Sequence, residues 1–193
     1  MKAFRTFGAV ALFSWLAASP AFAAGECPGA NDMGWRDFRG GPLVAPTPEE
    51  RGAVIDLLAQ YAWRMDNRDF NGLPALFVDD GHYYHCDPGN ANAVLAISAG
   101  SLAQQFQTMF ANLAATNSSA TRLLSNILIG KTKDGNFEVA FSVQVNIQTI
   151  GVSAAHLDYT AKIYATITKD GDLLKFIVLK VAPAQSGIQA SAR

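Results

Sequence analysis

Few side chains in this sequence have the type and spacing to move a proton. Tyr61 and Asp66 stand five residues apart in YAWRMDNRDFNGLPALFVDD, the stretch Tyr61–Asp80. On a helix that spacing separates them by about 140°, so both can border one apolar stripe without stacking on each other. A carboxylate at the lip of such a stripe is either a paired structural charge or a working group. Further on, His82–Cys86 alternates as a short strand, with His82 and Tyr84 on one face and Tyr83 and His85 on the other. His156, Asp158 and Tyr159 open a later strand, where Tyr159 is expected to meet a substrate at a cavity mouth. The His82–His85 pair points to opposite faces, so no metal site is expected. No Gly-rich phosphate loop and no G-x-S-x-G elbow is present, so neither a nucleotide cofactor nor an acyl-serine mechanism is supported.

The elements that must position these groups can be read from period and caps. Thr47, Pro48 and Glu50 form a capping box that starts a helix running to about Asp66. Val54, Ile55, Leu57, Leu58, Tyr61, Ala62 and Met65 fill its apolar arc, Asp66 falls at the edge, and Trp63 points away. Asn67–Asp69 supplies a turn and cap for a short second helix with Phe70, Leu73, Leu76 and Phe77 inward, ended by Gly81. Ser101 with Gln104 makes another capping box for a third helix carrying Leu102, Phe106, Met109, Phe110 and Leu113. Thr116–Ser119 reads as a polar linker. From Ala120 the period changes to two, most clearly along Phe137, Val139, Phe141, Val143, Val145 and Ile147. Asp134-Gly135 and Lys169–Asp172 mark hairpins. Helices followed by a long antiparallel meander make an α+β layout.

The 193 residues are 50% hydrophobic and 16% charged with net charge −1, the numbers of one ordinary domain and not of a nucleic-acid binder. Residues 1–23 read as a cleaved signal peptide: Lys2 and Arg5, an apolar run over Phe7–Ala18, and an Ala21-Phe22-Ala23 cleavage site. The mature protein is therefore expected in the periplasm or outside the cell. Residues 24–46 form an irregular arm, 47–182 the domain, and 183–193 a loose tail. In an oxidising compartment Cys27 and Cys86 are expected to form a disulfide, closing a loop worth about 3–4 kcal/mol in the chain-entropy model.

The pattern Y-x4-D-x2-D-F-x2-L-x2-LF-x-DD, read over Tyr61–Asp80, resembles the first two helices of SnoaL-like polyketide cyclases. These belong to the nuclear-transport-factor-2-like superfamily, with ketosteroid isomerases, scytalone dehydratase and bile-acid dehydratase. The resemblance implies a cone-shaped barrel, a curved antiparallel or mixed sheet wrapped around three helices and enclosing a pocket. It implies proton-transfer chemistry without a cofactor on a small hydrophobic, cyclic or aromatic substrate, or else a non-catalytic binding module of the same fold. Counting from the shared LF-x-DD, His85 takes the place of the isomerases' general base, and Tyr61 matches the family's tyrosine. In dehydratase and cyclase relatives a histidine four residues before an asparagine pairs with the first-helix aspartate. Here Arg122 stands in the histidine's place and Asn126 matches the asparagine. An arginine keeps its proton, so an Arg122–Asp66 pair can polarise or clamp but cannot shuttle. The isomerases' second acid falls on Ile163. Relatives pair through the sheet, and Leu174, Phe176, Ile177, Val178, Leu179 and Val181 make the last strand apolar on both faces, so a homodimer is expected.

Overall fold

The structure is a computed structural model and describes residues 43–87 and 90–183. Helix α1 (Pro48–Asp66) begins at the expected capping box: Thr47 accepts the Glu50 amide, and the Glu50 side chain accepts the Thr47 amide in return. Val54, Leu57, Leu58, Tyr61, Ala62 and Met65 are buried, while Ile55, expected in the same arc, is partly exposed.

The expected second helix does not form. Arg68 sits at φ 57°, Asp69 Oδ1 accepts the Gly72 amide at 2.7 Å, and only one 3-10 turn, Pro74–Leu76, follows. Pro74 brings no N–H to continue a helix, and a Cβ on Gly72 would run into the Asp69 carboxylate. Strand β1 (Phe77–Asp87) therefore starts earlier than expected, and Asp79 and Asp80 lie on it, exposed. It bulges at Gly81, whose missing Cβ leaves room beside the Val78 and Phe176 carbonyls.

Strand β2 (Asn90–Ser98) was not legible as a separate element and pairs antiparallel with β1. Helix α2 (Ala99–Ala115) follows at once, so Ser101 lies inside its first turn and donates to the Ser98 carbonyl instead of capping the helix. The meander comprises β3 (Ser118–Lys131), β4 (Phe137–Thr149), β5 (His156–Asp170) and β6 (Leu173–Pro183). Gly135 and Gly171 take the positive φ that its two tight turns require. Ser118 already belongs to β3, shortening the expected linker.

The six strands run in the order β2-β1-β6-β5-β4-β3, and the sheet is curved and unclosed. All neighbours are antiparallel except β1 and β6. One face packs Phe137, Val139, Phe141, Val143, Val145, Ile163, Ile167, Phe176 and Leu179 against the two helices. Residues 1–42 and 184–193 lie outside the described residues, and with them the expected signal peptide, most of the arm, the tail, and Cys27 with its pairing to Cys86.

Candidate active site

Asp66 is the last residue of α1, where the helix dipole disfavours a negative charge. Strand β3 supplies the compensation. Asp66 Oδ2 accepts the Arg122 backbone N–H at 2.9 Å, and Oδ1 accepts Arg122 Nη1 at 2.6 Å. The Arg122 side chain is only 9% exposed and that of Asp66 21%, so the pair sits under the sheet rim with little water around the guanidinium.

The register shows what else shares that face. Arg122 pairs with Val145, and Val145 with Tyr159, placing Arg122 and Tyr159 one strand either side of Val145. The Arg122 charge acts on the Tyr159 hydroxyl, opposing the upward push of burial. From α1, the Tyr61 ring packs edge-on against Phe176 with centroids 6.0 Å apart, and its hydroxyl interacts electrostatically with that of Tyr83 on β1. Tyr83 is 1% exposed and packs edge-on against Phe106 of α2 at 5.2 Å. Its Oη lies 3.4 Å from His85 Nδ1. Hydrogen bonds thus join His85 to Tyr83 and Arg122 to Asp66, with Tyr61 within the field of both Arg122 and Asp66.

The electrostatics assign forms to these groups. Burial pushes the Tyr61 hydroxyl up to about 12, with the Arg122 charge working against it. Burial also raises Tyr83 well above the ordinary phenol range and raises Tyr159. For Arg122, burial acts to lower the pKa, but Tyr61, Tyr159 and the Asp66 contact outweigh it and the net direction is up. At neutral pH the three tyrosines are therefore O–H groups that can donate to a developing oxyanion, and Arg122 is a fixed cation. Neither kind of group is a base. Imidazole is the side-chain type in the network suited to taking a proton near neutrality.

Of the residues singled out from sequence, Tyr61, Asp66, His85, Arg122 and Tyr159 come together here. Asn126 does not. It sits at φ 52° in a bulge between Ser125 and Leu128, exposed, with its side chain 3.5 Å from Ser142 Oγ on the opposite face of the sheet. An asparagine tolerates that left-handed conformation better than most residues, which explains it there without a ligand. The bulge also changes which parity of β3 points inward: 118, 120, 122 and 124 before it, 127 and 129 after it. His156 and Asp158 are exposed at the start of β5. Ile163 is buried in the row His85–Val181–Ile163–Phe141, so the position of the isomerases' second acid is apolar core.

Sequence reasoning passed over Tyr83 as a functional group, although its face-sharing with His85 was legible from the alternation. A separate open depression of about 440 Å3 lies on the outside of α1 against Ala59, Gln60, Trp63 and Arg64. That lining holds no acid–base pair.

No family model matches the sequence, and neither does any curated protein. Solved structures do resemble it. An NTF2-like protein with a cystatin-like fold from Novosphingobium aromaticivorans matches with TM-score 0.58 at 16% identity, over 72% of this chain and 85% of that one. The fold is the NTF2-like, cystatin-like one. Aln2 from a Streptomyces species matches with TM-score 0.62 at 17% identity, over 72% of this chain and 94% of that one. A candidate scytalone dehydratase from N. aromaticivorans matches with TM-score 0.58 at 15% identity, over 70% and 85%. At such identities the likeness concerns the fold.

Proposed function

We propose that the protein is an exported, cofactorless lyase or isomerase acting by proton transfer on a small hydrophobic, cyclic or aromatic molecule. The observation that carries this reading is the gathering of a histidine, three phenols and an ion-paired arginine on the inner face of the sheet, with His85 on Tyr83 and Arg122 on Asp66. In the reaction His85 takes a proton from a carbon next to a carbonyl. The C–H bonding pair moves to form the C=C bond and the carbonyl pair moves onto oxygen. Tyr61 donates to that oxygen, and Arg122, held in place by Asp66, offsets the negative charge. Tyr159 orients the substrate. Donors already aimed in a dry site need no reorganisation as charge develops. The proton then returns to another carbon in an isomerisation; in a dehydration the oxyanion pair re-forms the carbonyl, the C=C pair shifts to expel a β-hydroxyl, and the proton taken by His85 leaves with it as water.

The competing reading is a binding or accessory module of the same fold. What favours it is Arg122, which occupies the place of the relatives' shuttling histidine and is engaged by Asp66. Incubating the purified protein with a panel of enolisable cyclic ketones and hydroxy-aromatics separates the two. Turnover that follows the ionisation of a single group near neutral pH supports the enzyme; ligand retention in native mass spectrometry without turnover supports the module.

Export, a Cys27–Cys86 disulfide and a homodimer complete the proposal. They rest on the leader-like N-terminus, the even cysteine count and the apolar last strand. Thiol labelling of the secreted protein, denatured without reductant, is expected to find no reactive cysteine; two reactive thiols would remove the disulfide.

A further inference from the structure

Strand β3 stands at the edge of the sheet, with a strand partner, β4, on one side only. An edge strand presents unpaired N–H and C=O groups on which another chain can add a strand. Here the hazard is concrete. Residues 123–130, LLSNILIG, carry no charge, and Leu123 and Leu128 are 52% and 42% exposed beside that edge. Such an uncharged run of apolar residues on an open edge invites pairing with a copy of itself.

Helix α1 ties down both ends of this strand. Glu50, in its first turn, pairs with Lys131 at the end of β3, and Asp66, its last residue, pairs with Arg122. The Asp66 end does more than neutralise a charge. Its Oδ2 accepts the Arg122 backbone N–H at 2.9 Å, so that amide points away from β4. Backbone groups alternate sides along a strand, which sends those of Ser118, Ala120 and Leu124 the same way. Arg68, two residues past the helix, donates to the Ser118 carbonyl on that same edge. At the far end Val44 exchanges both backbone hydrogen bonds with Lys131 at 2.9 Å. Between them lies the Asn126 bulge, which spoils the register for an added strand. Among the described residues, nothing engages the edge groups of Leu124.

We propose that Asp66, with Arg68 behind it, guards the edge of β3 against the β3 strand of a second copy of this chain. Two copies of one edge strand can pair antiparallel about a two-fold axis, and residues 123–130 of each would then meet their own kind. A carboxylate on the Arg122 amide opposes this in two ways. It takes the hydrogen bond that an incoming carbonyl would make, and it sets a negative charge where that carbonyl oxygen would lie. Arg68 likewise occupies the Ser118 carbonyl that an incoming N–H would need. The guard serves an enzyme and a binding module alike, and it concerns the edge of β3 rather than the apolar last strand on which the homodimer rests.

The test reads single amides by hydrogen exchange in NMR, and size by sedimentation, on the full chain. In the wild type the Arg122 amide should exchange about tenfold or more slowly than that of Leu124, the effect of one charge-assisted hydrogen bond. Asp66→Ala should erase that protection in dilute protein and, at rising concentration, form assemblies larger than the wild type's. Within those assemblies the amides of residues 122 and 124 should become protected together. Arg122→Gln breaks the same ion pair but leaves Asp66 a backbone amide to hold, so residue 122 should stay protected and the protein should keep its wild-type size. Association of both variants alike would trace to lost stability and overturn the proposal. So would a wild-type Arg122 amide that exchanges as fast as that of Leu124, or a folded Asp66→Ala that exposes the amide without associating. Should Asp66→Ala fail to fold, Arg68→Ala, which leaves the ion pair intact, decides: concentration-dependent growth supports the guard, and an unchanged size refutes it.

Discussion

Strand β1 carries two histidine–tyrosine pairs of identical composition on opposite faces. On the outer face, His82 and Tyr84 stack with centroids 5.9 Å apart, and Lys180 Nζ lies 5.5 Å from the Tyr84 ring, with both aromatic side chains partly open to solvent. On the inner face, Tyr83 and His85 are joined by Oη and Nδ1, and Tyr83 is shut in by Phe106. Residue type is thus a poor guide to chemistry. What separates the pairs is one step along the pleat, which moves a phenol from a half-exposed face into one where burial raises its pKa.

The comparison can be broken most forcefully through catalysis. His85→Gln should lower proton-transfer turnover by about 10²–10⁴-fold, the usual contribution of a placed acid–base group. His82→Gln should leave it within experimental error. Equal losses, or a fall in thermal stability that tracks the loss at His85, would make the inner histidine a packing residue.

The second contrast is in stability. Asp66→Ala leaves the Arg122 guanidinium nearly buried without its anion, at an expected cost of about 3 kcal/mol by denaturant unfolding. Removing the outer cation with Lys180→Ala should cost about 0.5 kcal/mol, as for an exposed cation over a ring. A double-mutant cycle on Asp66 and Arg122 should return a coupling of about 1 kcal/mol or more; additive effects would refute the pairing.

Alkaline titration gives a third. Tyr61 is held up to about 12 in the folded chain, against about 10 for an unfolded phenol. A group whose folded pKa is raised contributes stability that is complete below the unfolded value and lost as pH climbs to the folded one. Stability should therefore fall between about pH 10 and 12, by on the order of 2 kcal/mol from this residue. Tyr61→Phe should flatten that fall. Phenolate absorbance that rises to its full five-tyrosine value by pH 11 in the folded protein would contradict the burial argument.

Much of this frame was legible beforehand, and the reasons are local. The Thr47–Glu50 box and Pro48 start α1 from neighbouring residues alone, and the period-two run along β4 declares both its faces. What stayed hidden depends on distant partners. Strand β2 was missed because Asn90–Ser98 lacks a clean alternation and its pairing with β1 is what makes it a strand. The segment after Asp66 looked helical because Phe70, Leu73 and Leu76 recur at helical spacing, but the Asp69–Gly72 hydrogen bond and Pro74 turn the chain first. Asn126 matched a family position, yet the bulge it creates turns it away from the site. Tyr83 could be placed on the face of His85, but its contact with Tyr61 arises only when α1 packs across the sheet.

The central claim is that the inner His85 moves a proton off carbon. Solvent deuterium exchange at the α-carbon of an enolisable cyclic ketone, followed by proton NMR, reads that step even where no net product forms. Wild-type protein should accelerate the exchange well above buffer, and His85→Gln of unchanged melting temperature should return it to the buffer rate. Exchange no faster than buffer across the ketone panel, or acceleration that survives His85→Gln, would contradict it.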